Sequence, residues 1–158
     1  MIETGQTVPN THVFEATNEG PKPINTDELF SGKKTVFFAV PGAFTPTCSA
    51  KHLPGFVEKA DSLRAKGMDQ VVCMSVNDAF VMQAWGDGAG ADGIVMLADG
   101  NGALTRALGL EMDGESFGMG TRSQRFAMVL DGTKVTQLFV EEPGAFMVSS
   151  ADHVLANL

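Results

Sequence analysis

Residues 41–56 read PGAFTPTCSAKHLPGF and gather a thiol at Cys48, hydroxyls at Thr45, Thr47 and Ser49, an ammonium at Lys51 and an imidazole at His52. Read as a helix start, Thr45 takes the N-cap and Pro46 the first helical position, where a missing N–H costs nothing, so Cys48 falls in the first turn. There the helix dipole and unpaired amides favour negative charge and draw a thiol toward thiolate. The neighbours Thr47, Ser49 and Lys51 are polar, and Cys48 lies outside the apolar stripe of Leu53, Phe56, Val57, Ala60 and Leu63. It is therefore expected to be a nucleophile rather than core. The second cysteine, Cys73, sits within VVCMSV and is expected to be a buried strand residue.

Other thiol and imidazole chemistries fit less well. A disulfide exchanger needs Cys-x-x-Cys in this turn, and the chain has TPTC. His52 follows Cys48 by one helical turn, a spacing that suits a metal, yet His12 and His153 bring no companion motif, so no metal site is expected. A cysteine hydrolase would need an orienting Asn or Asp for His52, and no such motif is recognisable. The segments GDGAGADG and ADGNG lack the Lys-Ser/Thr of a phosphate loop and the ligand spacing of a calcium loop, and read as turns.

The elements that must hold this turn follow from periodicity. Strand-like runs occur at 35–40, 70–76, 93–97, 125–130 and 134–140; the first three are almost continuously apolar, as in strands buried on both faces. Helical spacing follows Cys48, follows a cap at Asn77 or Asp78 through Phe80, Met82 and Trp85, spans NGALTRALGL, and follows a cap at Ser149 or Ser150 near the end. The order βαβαβ and then two strands joined by Asp-Gly predicts an α/β thioredoxin-like sandwich, a central mixed sheet with helices on both faces. Strand 35–40 then delivers Cys48 to the carboxyl end of the sheet, where open α/β folds place their sites. Pro54, which cannot donate to the carbonyl of Ala50, is expected to weaken the helix just past the reactive turn, so that it can unwind there.

The 158 residues, 44% of them hydrophobic, suffice for the core of one domain spanning 1–158. Eleven Lys and Arg against 19 Asp and Glu give a net charge of −8, which argues against nucleic acid and anionic membranes as partners. Without a basic and apolar leader or a spanning apolar run, and with two unpaired cysteines, a cytoplasmic, reducing location is expected.

PGAFTPTCSAKHLPGF resembles the P-x-x-x-T-x-x-C signature of peroxiredoxins, and VCMSVNDAFVMQAWG with RFAMVLDG is similar to the type II, or peroxiredoxin five, group. The resemblance runs over nearly the whole chain. It implies a thiol peroxidase for hydrogen peroxide and organic hydroperoxides, with Cys48 as peroxidatic nucleophile oxidised to sulfenic acid. Thr45 and Pro41 match the rest of the signature. Arg125 matches the arginine that completes the pocket, with Arg122 a close rival. The backbone amides of Thr47 and Cys48 are further donors to substrate oxygens. Two-cysteine members carry a resolving thiol near the C-terminus, where this chain has Ser149 and Ser150. No resolving cysteine is expected, and no bound cofactor; the implied reductant is an external thiol, glutathione with glutaredoxin, or thioredoxin. A homodimer is also implied, with Phe44, Phe80 and Trp85 as an apolar patch. The alternative reading is a non-catalytic redox sensor or thioredoxin-like interaction domain, which shares the reactive thiol but not the turnover.

Overall fold

The computed structural model describes all 158 residues. An N-terminal hairpin, β1 (His12–Thr17) and β2 (Gly20–Asn25), leads through α1 (Thr26–Phe30) into β3 (Lys34–Ala39). A π-helical turn (Cys48–His52) runs into α2 (Leu53–Ala65), followed by β4 (Gln70–Ser75), α3 (Ala79–Gly88), β5 (Val95–Ala98) and α4 (Ala103–Leu108). A small hairpin, β6 (Glu111–Asp113) and β7 (Thr121–Ser123), precedes β8 (Phe126–Asp131), β9 (Lys134–Val140) and α5 (Ala151–Ala156). Seven strands form one sheet in the order β2-β1-β5-β4-β3-β8-β9. Strands β3, β4 and β5 are parallel and central, as their apolar continuity requires, and β8 and β9 are antiparallel about Asp131-Gly132. The expected thioredoxin-like α/β architecture is present.

Alternation along the strands sorts the core into two layers. Val36, Phe38, Val71, Cys73 and Val129 face α2, α3 and α5 through Leu53, Phe56, Met82, Trp85 and Val154. Phe37, Ala39, Val72, Met74 and Met128 face α1 and α4 through Leu29, Phe30, Leu104 and Leu108. Phe38 stacks on Phe56 with ring centroids 4.0 Å apart, so α2 is fixed against β3, the strand that leads to the reactive turn. Burial of each such ring is worth roughly 1.5–3 kcal/mol. No helix is long and apolar enough to cross a membrane.

The differences from expectation are local. The runs at 93–97, 125–130 and 70–76 become strands at 95–98, 126–131 and 70–75. The β1–β2 hairpin has no counterpart in the sequence reading: Pro21 and Pro23 speak against a strand, but β2 is an edge, where a missing donor faces solvent. Asp78 caps α3 by accepting from Val81 N–H at 2.9 Å, and Ser150 caps α5 by accepting from His153 N–H at 3.1 Å. Asn77 and Ser149, the other two cap candidates, are engaged at the site.

Candidate active site

Strand β3 ends at Ala39 and the chain turns sharply through residues 40–45. The amide of Val40 donates to Met74 O (3.1 Å) and that of Ala43 to Asn77 Oδ1 (3.0 Å), an atom that also accepts from Ser75 Oγ (2.6 Å). Phe44 is held at φ 66°, the left-handed region that non-glycine residues rarely enter, so the turn is strained and anchored. Arg122 braces it from outside, donating from Nη1 to Pro41 O (3.3 Å) and from Nε to Met119 O (2.9 Å). A Cβ on Gly42 would lie 2.8 Å from Arg122 Nη1, so a side chain there would displace the guanidinium from its place against the turn.

Thr45 occupies the N-cap position in the backbone sense, since its carbonyl accepts from Ser49 N–H at 2.9 Å. Its hydroxyl does not cap an amide, however. It lies 2.7 Å from Gly42 O and 2.8 Å from Cys48 Sγ, and its one proton can serve only one of them at a time. The amides of Thr47 and Cys48 belong to the first helical turn, which lacks intrahelical acceptors.

Cys48 itself is fully buried and packs in the core layer with Val40, Leu53, Phe56 and Cys73. The expectation that it stands apart from the apolar stripe is corrected. Its polar sequence neighbours face other ways: the Trp85 indole donates to Ser49 Oγ at 3.0 Å, and Lys51 is exposed. The cause lies in the helix itself. From Cys48 to His52 the turns are π-helical, with Leu53 N–H donating to Cys48 O, and this wide turn sits directly ahead of Pro54. Widening relieves the clash between the proline ring and the preceding turn, and shifts the register by which Cys48 would have been placed.

Of the two arginines, Arg125, just before β8, reaches the sulfur. Its Nη2 donates to Cys48 Sγ at 3.0 Å, and its Nη1 lies 2.8 Å from His52 Nδ1. His52 Nε2 lies 2.9 Å from Ser149 O. A carbonyl can only accept, so Nε2 carries the ring proton and Nδ1 accepts from the guanidinium. Burial first, and then the adjacent Arg125 charge, push the His52 pKa down to about 3, so the ring is neutral. Both ring nitrogens are committed, and the ring is wedged among Phe38, Phe56 and Phe146. It orients Arg125 and does not face the thiol. The Arg125 guanidinium also lies 5.8 Å over the Phe146 ring. Cys73, on β4 opposite Phe38, is fully buried; burial and the nearby Cys48 push its thiol well up.

A cavity of about 330 Å³ is lined by Thr47 and Arg125, which adjoin Cys48, and by Pro41, Met112, Glu142 and Ala145 among others. Of the expected apolar patch, Phe44 and Phe80 are exposed, but Trp85 is buried and turned inward to Ser49. The contacts absent from the sequence reading are those of His52 with Arg125 and Ser149, and of Asn77 with the turn. The Ser149–His52 link joins positions 97 apart, which no local spacing reveals.

Fold and site together define a thioredoxin-like protein with a buried thiol at a helix start, held by a threonine hydroxyl and an arginine. The redoxin family profile matches residues 3–155. Peroxiredoxin-2B of Arabidopsis thaliana is 50% identical over 159 residues, covering 99% of this chain and 98% of that protein. Peroxiredoxin-2E-2, chloroplastic, of Oryza sativa is 50% identical over 163 residues, covering 99% of this chain and 72% of that protein. The crystal structure of reduced Prx3 in complex with H2O2 from Vibrio vulnificus superposes with a TM-score of 0.96 at 55% identity, covering 99% of each chain. The chain belongs to the peroxiredoxin family.

Proposed function

We propose that this chain is a type II, one-cysteine thiol peroxidase in which Cys48 reduces hydrogen peroxide and small organic hydroperoxides. The observation that carries the reading is the convergence of the Thr45 hydroxyl (2.8 Å) and the Arg125 guanidinium (3.0 Å) on Cys48 Sγ. Both groups reach the sulfur, and the nucleophilic form of a cysteine is its anion. In the reaction the thiolate attacks one peroxide oxygen. The S–O bond forms as the O–O bond breaks, two electrons pass from sulfur to the peroxide, and the departing hydroxide or alkoxide takes a proton from solvent. Negative charge grows on the leaving oxygen, so donors aimed at that point lower the barrier. In this reading Arg125 and the amides of Thr47 and Cys48 supply them. If the Thr45 proton turns to Gly42 O, its lone pairs are free to accept from the peroxide O–H. Pro41, which lines the cavity, limits water around the sulfur in this reading.

The sulfenic acid then condenses with an external thiol, releasing water and leaving a mixed disulfide that a second thiol cleaves. Glutathione with glutaredoxin is the proposed reductant pair, with thioredoxin as the competing donor. Cys73, with its raised thiol and full burial, is unsuited to resolve the sulfenic acid from within. Because Cys48 is also wholly buried, the thiol step requires the π-helical turn to unwind, and Pro54 weakens the helix at that place. The same proposal includes a single domain, a cytoplasmic setting and a homodimer using the exposed Phe44 and Phe80. A peroxide-consumption assay comparing glutathione plus glutaredoxin with thioredoxin tests it. Turnover with the first and none in Cys48→Ser is expected; undiminished consumption by folded Cys48→Ser would overturn the reading.

A further inference from the structure

We propose that Glu141 is a positioning residue for Arg125, acting through Ser149 and His52. Its carboxylate is buried and faces a turn of the chain rather than a cation. Glu141 Oε2 accepts from the amides of Met147 (2.8 Å), Val148 (2.9 Å) and Ser149 (2.9 Å) and from Ser149 Oγ (2.7 Å), while Oε1 shares the Met147 amide at 2.9 Å. Successive amides converging on one carboxylate make an anion nest. Burial alone would raise the carboxyl pKa, but the donors at Met147, Ser149 and Val148 outweigh it and hold the group below the usual range. The turn is therefore clamped on a charge.

The clamp ends on the thiol. Ser149, gripped through both its amide and its hydroxyl, presents its carbonyl to His52 Nε2 at 2.9 Å. That bond selects the tautomer in which Nδ1 is an acceptor, and Nδ1 takes Arg125 Nη1 at 2.8 Å. With one guanidinium nitrogen fixed, the planar fork aims Nη2 at Cys48 Sγ, 3.0 Å away. A second link comes through the main chain, because Glu141 N–H donates to Arg125 O at 3.0 Å, just past the β8–β9 pair Phe126 and Val140. Glu141 thus references both the backbone and the guanidinium of Arg125. A loop anchor with no bearing on the site would need neither the Ser149 carbonyl nor the His52 tautomer.

The inference uses the peroxidase reading for one of its two readouts, and the second readout is independent of it. In Glu141→Gln a single carbonyl oxygen remains to accept, and the new amide group points its own hydrogens at the nest. The rate constant for Cys48 oxidation by hydrogen peroxide should fall at least ~10-fold, about 1.4 kcal/mol. The ring ¹⁵N shifts of His52 in labelled protein should change from a single Nε2–H tautomer to averaged values. A cooperatively folding Glu141→Gln protein that reacts within twofold of wild type would overturn the proposal. So would a slowed variant whose His52 tautomer is unchanged, since the loss would not then pass through the ring. If Glu141→Gln does not fold, Glu141→Asp keeps the charge but withdraws it by about 1.5 Å, and the same two criteria apply to it. Should wild type itself fail to react with peroxide, the peroxidase reading falls, and the His52 shifts alone decide whether the clamp sets the ring.

Discussion

Replacing Arg125 with lysine keeps a positive charge and removes the fork. The guanidinium now serves Cys48 Sγ through Nη2 (3.0 Å) and His52 Nδ1 through Nη1 (2.8 Å). A single ammonium has no two rigid donors aimed in these directions, so at least one bond is lost. Hydrogen bonds to charged groups contribute about 1.5–3 kcal/mol each. Arg125 is half-buried, so solvent screens part of this, and we take the lower end. Losing about 1.5 kcal/mol of transition-state stabilisation slows peroxide reduction slightly more than ~10-fold. If His52 also turns and the sulfur bond lengthens, the loss approaches ~100-fold. The assay is single-turnover stopped flow with hydrogen peroxide, following the emission of Trp85, whose indole donates to Ser49 beside the reacting thiol. Arg122→Lys is the control: it retains charge and loses only the brace on Pro41 O and Met119 O. A folded Arg125→Lys protein within twofold of wild type, or an Arg122→Lys protein slowed more than it, would refute the assignment of Arg125.

Cys48→Ser should abolish peroxide consumption while Cys73→Ser retains most of it; equal losses in two folded proteins would remove the distinction between site and core thiols. After one equivalent of peroxide and then glutathione, mass spectrometry should show one adduct, on Cys48, whereas a stoichiometric Cys48–Cys73 disulfide would make Cys73 a resolving thiol. Hydrogen exchange over residues 46–53 should quicken once Cys48 is sulfenylated, and unchanged protection would exclude unwinding at the π-helical turn. His52 is neutral when folded, with its pKa at about 3 against 6.5 unfolded, so below pH 6.5 only the unfolded chain gains this proton. Stability should therefore fall with acid by about 1.4 kcal/mol per pH unit from this group, with Glu141 adding to the loss below its unfolded value of 4.5. Denaturant titrations of wild type and His52→Gln between pH 6.5 and 4.5 test it, since the variant should show a flatter slope.

What the sequence by itself determined is what depends on neighbours a few residues apart. Apolar continuity marked β3, β4 and β5 as central strands, Asp131-Gly132 marked the β8–β9 turn, and the Thr45-Pro46 start put Cys48 in the first helical turn at the end of β3. Each is a local free-energy preference, readable within one turn or one strand. The family signature added Pro41 and Thr45, and the wider resemblance favoured Arg125 with Arg122 as its rival. The edge hairpin β1–β2 escaped because its prolines are tolerated only by virtue of where the strand lies in the sheet. Only the tertiary structure decided which arginine meets the sulfur, since Arg122 and Arg125 are three residues apart in one chemical class and differ by the strand end that carries them. Only it turned His52 from a possible base or ligand into the support of that arginine, and Ser149 from a cap candidate into a carbonyl acceptor gripped by Glu141. The Arg125–Cys48 and His52–Ser149 contacts span 77 and 97 positions, and Cys48 is buried because a widened turn before Pro54 rotates it into the core. Such contacts are set by how the sheet stacks its strands, and no periodicity along the chain encodes them.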